Sequence, residues 1–151
     1  MKIVVQRCEN ANVSVDKKIV GSIDKGLVLL VGFTKGDSIE EITYMVDKVT
    51  NLRIFDDEEG VMNKSLLEVG GDVLSISQFT LYGDARKGRR PSYVKALGGE
   101  EASLLYKMFN DELRKKVKVE EGIFGADMKV SLVNDGPVTI FLEKEGSCDG
   151  K

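Results

Sequence analysis

Leu27-Val28-Leu29-Leu30-Val31-Gly32-Phe33 is a continuous apolar run near the start of the chain. A short run without polar alternation reads as a central strand buried on both faces. The rest of the sheet is read outward from it. Lys2 to Val15 forms a long strand, with Ile3, Val5, Val13 and Val15 alternating with polar residues. Lys17-Lys18 turns, Ile19 to Ile23 returns, and Asp24-Lys25-Gly26 turns again. Three early strands joined by short turns predict a meander. Val73 to Phe79 is a further inner strand. Met128 to Val133 and Val138 to Leu142 are two more, set around an Asn134-Asp135-Gly136-Pro137 turn.

Two segments carry helical spacing instead. Ser38-Ile39-Glu40-Glu41 has the S-x-x-E form of a helix start. Ile39, Ile42, Met45, Val46, Val49 and Leu52 follow at helical intervals, with an end expected near Asn51. Ala102, Leu105, Met108, Phe109 and Leu113 form one face of a second helix, closed by Arg114, Lys115 and Lys116 at its negative end. About six strands and two main helices predict a single α+β domain. Its sheet is curved, antiparallel or mixed, or closed into a barrel, with the helices packed outside. The domain is expected to span residues 1–143, followed by a charged, flexible tail at 144–151.

The chain has 151 residues and a net charge of −3. That length suits one domain with a sizeable core. An acidic balance argues against wholesale coating of DNA or RNA, which needs a broadly basic face. A small basic patch touching one end of an RNA is still compatible with it. Two cysteines, Cys8 and Cys148, do not make a disulfide framework and point to a reducing, cytoplasmic setting. The first residues do not form a signal peptide. No run approaches the roughly 18 apolar residues of a membrane span.

Histidine is absent. That excludes a Ser-His-Asp or Cys-His pair and removes the usual general base. The distant cysteines argue against zinc, and there is no phosphate-loop or dinucleotide fingerprint. No metal or cofactor is expected. Asp56-Asp57-Glu58-Glu59-Gly60 lacks the calcium-loop spacing and reads as a solvated turn.

Four features remain. Ser77-Gln78-Phe79-Thr80-Leu81 ends a strand, and its polar side chains either cap backbone groups or mark a turn that aims the Phe79 and Thr80 amides at a developing oxyanion. Gly136-Pro137 is a turn whose peptide isomer the sequence leaves open. Arg86-Lys87-Gly88-Arg89-Arg90 is either solvated surface or a phosphate contact. Arg7, among strand residues, either pairs with an acid or holds backbone carbonyls with its rigid donor fork.

These segments resemble those of the D-aminoacyl-tRNA deacylases. Val4-Val5-Gln6-Arg7 resembles the family start. Ser77-Gln78-Phe79-Thr80-Leu81 and Asn134-Asp135-Gly136-Pro137-Val138-Thr139 resemble its two signatures. Arg53-Ile54-Phe55, Met62-Asn63, Arg86 to Ser92 and Phe124-Gly125-Ala126-Asp127-Met128 support the match, which runs from Met1 to about Leu142. Lys64 departs from an expected apolar residue, and Gly98-Gly99 from a proline-containing helix start.

The resemblance implies hydrolysis of the ester between a D-amino acid and tRNA, a trans-editing reaction that proofreads chirality and rejects L-aminoacyl-tRNA. It implies a homodimer with active sites at the subunit interface. The Gly136-Pro137 bond is implied to be cis, and its carbonyls to receive the substrate amino group across that interface. Arg7 is implied to brace the loop. Ser77, Gln78 and Phe79 would meet the 3′-terminal adenosine, with Phe124, Ala126 and Met128 lining the pocket. The Phe79 and Thr80 amides would hold the oxyanion. The Thr80 hydroxyl remains open as a nucleophile. The rival readings are a non-catalytic binder of charged tRNA ends and a related deacylase of glycyl- or small L-aminoacyl-tRNA.

Overall fold

The computed structural model describes Met1–Glu145. β1 (Lys2–Val15) and β2 (Lys18–Gly32) form a long hairpin. Its two-residue turn, Asp16-Lys17, has positive φ at both positions (51° and 68°), the geometry that matches strand twist. α1 (Ile39–Asn51), the small hairpin β3 (Phe55–Asp56) and β4 (Met62–Lys64), and the single turn α2 (Leu66–Val69) then cross over to β5 (Asp72–Ser77). A 3-10 turn (Phe79–Tyr82), α3 (Gly99–Arg114), β6 (Val119–Glu121) and β7 (Lys129–Glu143) complete the chain. The main sheet has five strands in the order β6-β5-β2-β1-β7. Pairing is antiparallel from β2 through β1 to β7, and parallel from β2 through β5 to β6. The expected α+β domain with a mixed sheet is what forms. β2 is central, and Leu27, Val28, Leu29 and Val31 are buried, as the apolar run predicts.

The expected meander does not form. β2 runs straight through Asp24-Lys25-Gly26, with Cys8 opposite Gly26 and Ala11 opposite Ile23. Gly26 marks a close approach instead. A Cβ there would lie 1.8 Å from the Asp72 carbonyl oxygen, where the parallel ladder to β5 begins. The second predicted hairpin also dissolves, because both halves of β7 pair with the same strand. Gln6 faces Thr139 and Cys8 faces Asn134, so residues 135–138 bulge out opposite Arg7 alone.

One face of the sheet carries α1 and α3 over Ile3, Val5, Leu27, Leu29, Val31 and Val73. Ile42, Met45, Val46 and Val49 come from α1, and Leu105, Phe109 and Leu113 from α3. The α1 start is the expected capping box: Ser38 N donates to Glu41 Oε1 at 2.7 Å, and Glu40 N to Ser38 Oγ at 3.3 Å. The same device at Ser65 and Glu68 starts α2, which the apolar pattern alone does not reveal. On the other face the hairpin tip curls over, and Ala11, Val13 and Ile23 join Val28, Leu74 and Ile76 in a second cluster. Gly21 thereby comes against Glu121, which partly closes the sheet. The acidic run is the turn of the small hairpin, where Asp57 Oδ1 accepts from the amides of Glu59 and Val61.

β7 ends at Glu143. Lys144 N still donates to Met1 O at 2.9 Å, and Glu145 accepts from the Tyr82 hydroxyl at 3.1 Å. The remainder of the expected tail, with Cys148, lies outside the described residues. No helix among the described residues is long and apolar enough to cross a membrane.

Candidate active site

β2 and β5 run parallel, so their carboxyl ends open side by side, the usual place for a ligand site beside parallel strands. A cavity of about 400 Å³ occupies that position. Ser77, Gln78 and Phe79 form one wall, and Phe124, Ala126 and Met128 another. Six of the residues singled out in the sequence therefore share one cavity. Its volume and mostly apolar lining suit a small planar ligand group. The remaining walls come from Val31, Gly32 and Phe33 at the end of β2, and from Leu97, Gly98 and Gly99 at the start of α3. Sequence reasoning missed these. Gly98-Gly99 is noticeable only as a departure at a helix start, yet a Cβ at either position would meet open space. Lys64, the other departure, pairs with Glu58 at 3.1 Å in the small hairpin, away from the cavity.

Behind this wall, the Tyr106 hydroxyl donates to the Ser75 carbonyl at 2.7 Å while its ring packs 6.0 Å from that of Phe124. Burial pushes the Tyr106 hydroxyl above its ordinary pKa, which keeps it a neutral donor.

At the rim the chain leaves β5 through the 3-10 turn. Gln78 N donates to Val31 O at 2.7 Å, and Leu81 N to Gln78 O at 3.2 Å. No acceptor among the described residues faces the amides of Phe79 and Thr80. They are the unpaired donors that a helical start leaves over. The Thr80 hydroxyl accepts from Gln78 Nε2, and among the described residues no basic side chain hydrogen-bonds it. Cys8, buried between sheet and hairpin tip, is no substitute nucleophile, because burial pushes its thiol up to about 11.

The Gly136-Pro137 peptide bond is cis. The loop's neck is closed by Asn134, whose Oδ1 accepts from Val138 N at 3.1 Å and whose Nδ2 donates to Thr139 Oγ1 at 3.0 Å. Arg7 lies beneath it, only 7% exposed. Its Nε donates to Asp135 O at 3.1 Å, and its Nη1 to Ile54 O at 2.8 Å. It also pairs with Asp56 at 3.4 Å and Asp135 at 3.3 Å. Both readings of Arg7, acid partner and carbonyl brace, are therefore realised together. Gly136, Pro137, Arg7 and Thr80 do not line the cavity of their own chain. Gly136 and Pro137 stand exposed on the edge strand.

The arrangement resembles known proteins in both sequence and shape. A solved structure entitled "c-Myc DNA Unwinding Element Binding Protein" superposes with a TM-score of 0.91 at 39% identity, covering 97% of this chain and 100% of that one. A second, entitled "Structural Analysis of a probable eukaryotic D-amino acid tRNA deacylase", shares the fold with a TM-score of 0.82 at 18% identity, covering 93% and 97%. A protein of Clostridium botulinum strain 657 named D-aminoacyl-tRNA deacylase is 58% identical over 144 residues, 95% of this chain and 97% of that protein. One of Clostridium kluyveri with the same name is 58% identical over 146 residues, 96% and 98%. The family model for D-Tyr-tRNA(Tyr) deacylase matches residues 4–143, a span that takes in Arg7, both signature segments and every wall of the cavity. The chain belongs to the D-Tyr-tRNA(Tyr) deacylase family.

Proposed function

We propose that this protein hydrolyses the ester joining a D-amino acid to the 3′-terminal ribose of tRNA, releasing both and sparing L-aminoacyl-tRNA. The observation that carries this reading is the apolar cavity with two unpaired amides at its rim, in a chain without histidine. The terminal adenosine fills the cavity against Ser77, Gln78, Phe79, Phe124, Ala126 and Met128. Water attacks the ester carbonyl, and the oxyanion that forms accepts from the Phe79 and Thr80 amides, fixed donors of the kind that stabilise such charge. The vicinal 2′-hydroxyl of the RNA assists the water, since no imidazole does.

Chirality is read by the Gly136-Pro137 loop of a second copy of the chain, whose main-chain oxygens receive the amino group. An L-residue placed the same way drives its side chain into the wall, so selection works by exclusion. The pairing of two copies is supported by β7. This edge strand exposes Val133 and Phe141 at 54% each and leaves Ile140 and Leu142 only partly buried. Such an edge calls for a cover. Residues 1–143 act as one catalytic unit, in the cytoplasm, where tRNA is charged.

D-Tyrosyl-tRNA and L-tyrosyl-tRNA in large excess over protein provide the test. Many turnovers are expected on the D ester, at least about a hundredfold faster than on the L ester, a difference of about 2.7 kcal/mol between transition states. Equal rates would defeat the stereochemical reading, and a single stoichiometric binding event would leave a mere binder. Thr80→Ala is informative beside it. Losing a true nucleophile costs on the order of a millionfold in hydrolases that depend on one. With the Thr80 side chain outside the chemistry, kcat is expected to fall by less than about tenfold.

A further inference from the structure

The basic loop is not used by the reading above. Between Gly83 and Ala96 the chain carries Arg86, Lys87, Arg89, Arg90 and Lys95 against one acid, Asp84, in a protein whose net charge is −3. Asp84 is spoken for. Arg86 grips it with Nε at 2.9 Å and Nη2 at 2.7 Å, and holds its carboxyl down at about 2. Lys87, Arg89 and Arg90 make no ion pair with any described residue and stand exposed.

Both feet of the loop rest on the cavity rim. Gly83 N donates to Thr80 O at 2.9 Å, and the Tyr93 ring meets that of Phe79 edge-on at 5.1 Å. On the far side Leu97 N donates to Phe33 O at 2.9 Å, and both residues line the cavity. Asp84 and Ser92 exchange two backbone bonds of 2.8 Å, which close the loop's neck. Three uncompensated cations are thus tethered to the rim of the cavity.

We propose that Lys87, Arg89 and Arg90 bind the phosphodiester backbone of the tRNA acceptor strand next to its 3′ end. The inference rests on the deacylase reading for the direction in which the RNA leaves the cavity. Three exposed cations within four residues suit a polyanion better than a single small anion. Contacts of this kind position the nucleic acid without reading its bases. They also concentrate positive potential at the site of an otherwise acidic protein, which steers association.

The test is the triple variant Lys87→Ala, Arg89→Ala, Arg90→Ala. It is compared with the wild type on D-tyrosyl-tRNA and on D-tyrosyl-adenosine, an ester that carries no phosphodiester, over a salt series. Each single-strand phosphate contact contributes about 0.7 to the salt slope, so the variant is expected to lose about 2 from the slope of log KM against log salt. KM for tRNA should rise roughly tenfold or more at low salt, with kcat unchanged and the adenosine ester unaffected. The charge-keeping variant Lys87→Arg, Arg89→Lys, Arg90→Lys should restore the slope. An unchanged KM and slope would overturn the proposal. So would equal losses on both substrates, which would mean that the loop merely supports the rim. If the wild type hydrolyses neither ester, the deacylase reading fails by itself. Equilibrium binding of uncharged tRNA over the same salt series then decides the loop's role, with loss of slope supporting it and no change overturning it.

Discussion

Gly136→Ala is expected to lower kcat/KM on D-tyrosyl-tRNA by at least about a hundredfold, some 2.7 kcal/mol of lost transition-state stabilisation. Gly136 has φ of 125°, a region that side-chain-bearing residues rarely adopt. A Cβ there would lie 2.8 Å from Val138 Cγ2 and 3.0 Å from Arg7 Nη2. Val138 N is already engaged by Asn134, and Arg7 is held by Ile54, Asp56 and Asp135. Neither neighbour can yield without opening the neck of the loop or unseating a buried guanidinium. The loop therefore moves, and the carbonyls proposed to receive the amino group move with it. Because residues 135–138 bulge from an edge strand, stability should fall by only about 1–2 kcal/mol.

The same variant tests the two-fold arrangement. Ala126→Trp blocks the cavity and leaves the loop intact. Mixed dimers of Gly136→Ala and Ala126→Trp should regain activity that neither variant has alone, since one cavity then meets one sound loop. Activity within about threefold of wild type in Gly136→Ala, or no recovery on mixing, would remove the loop from its proposed role.

Gly26→Ala is expected to destabilise the fold by more than about 3 kcal/mol, a large share of the 5–15 kcal/mol typical of such a domain. The added Cβ would sit 1.8 Å from Asp72 O and 2.7 Å from Asp72 C and N, all of it backbone. No side-chain rotation relieves that contact. Gly26 and Asp72 are also the first pair of the parallel β2–β5 ladder, whose far end forms the cavity. Urea unfolding should show a midpoint far below that of the wild type, with activity lost in proportion. Gly60→Ala is the contrast. Its φ is 79°, but a Cβ would meet nothing within 4 Å, so the cost should be only about 1 kcal/mol of left-handed backbone strain. Equal losses in the two variants would show that the close approach at Gly26 is not what limits that position.

Local signals were legible wherever short-range chemistry decides. The capping box at Ser38 and the stripe from Ile42 to Val49 place α1 within a residue of its ends, because both depend on neighbours three and four positions apart. The run at Leu27 to Val31 identifies the central strand, because only burial on both faces suits it. Glycine is ambiguous for a symmetrical reason. Gly26 permits a turn, and it equally permits a backbone to approach to contact. Which of the two occurs depends on Asp72, far along the chain. The Asn134-to-Pro137 segment has hairpin composition, but a bulge with the same composition forms when one strand, β1, serves both flanks.

For the candidate site, residue chemistry again came from the sequence: the absence of histidine, the polar strand end at Ser77 to Thr80, and the arginine beneath a Gly-Pro loop. The sequence also determined the two main helices and the central strand, since these follow from patterns a few residues long. Only the tertiary structure decided that β5 lies parallel to β2, that six of the expected residues share one cavity, and that the Gly136-Pro137 loop stands apart from it on the edge strand. The physical reason is that strand pairing and cavity shape arise from backbone bonds between residues distant in sequence. Such pairings are settled by packing of the whole chain, and no local pattern specifies them.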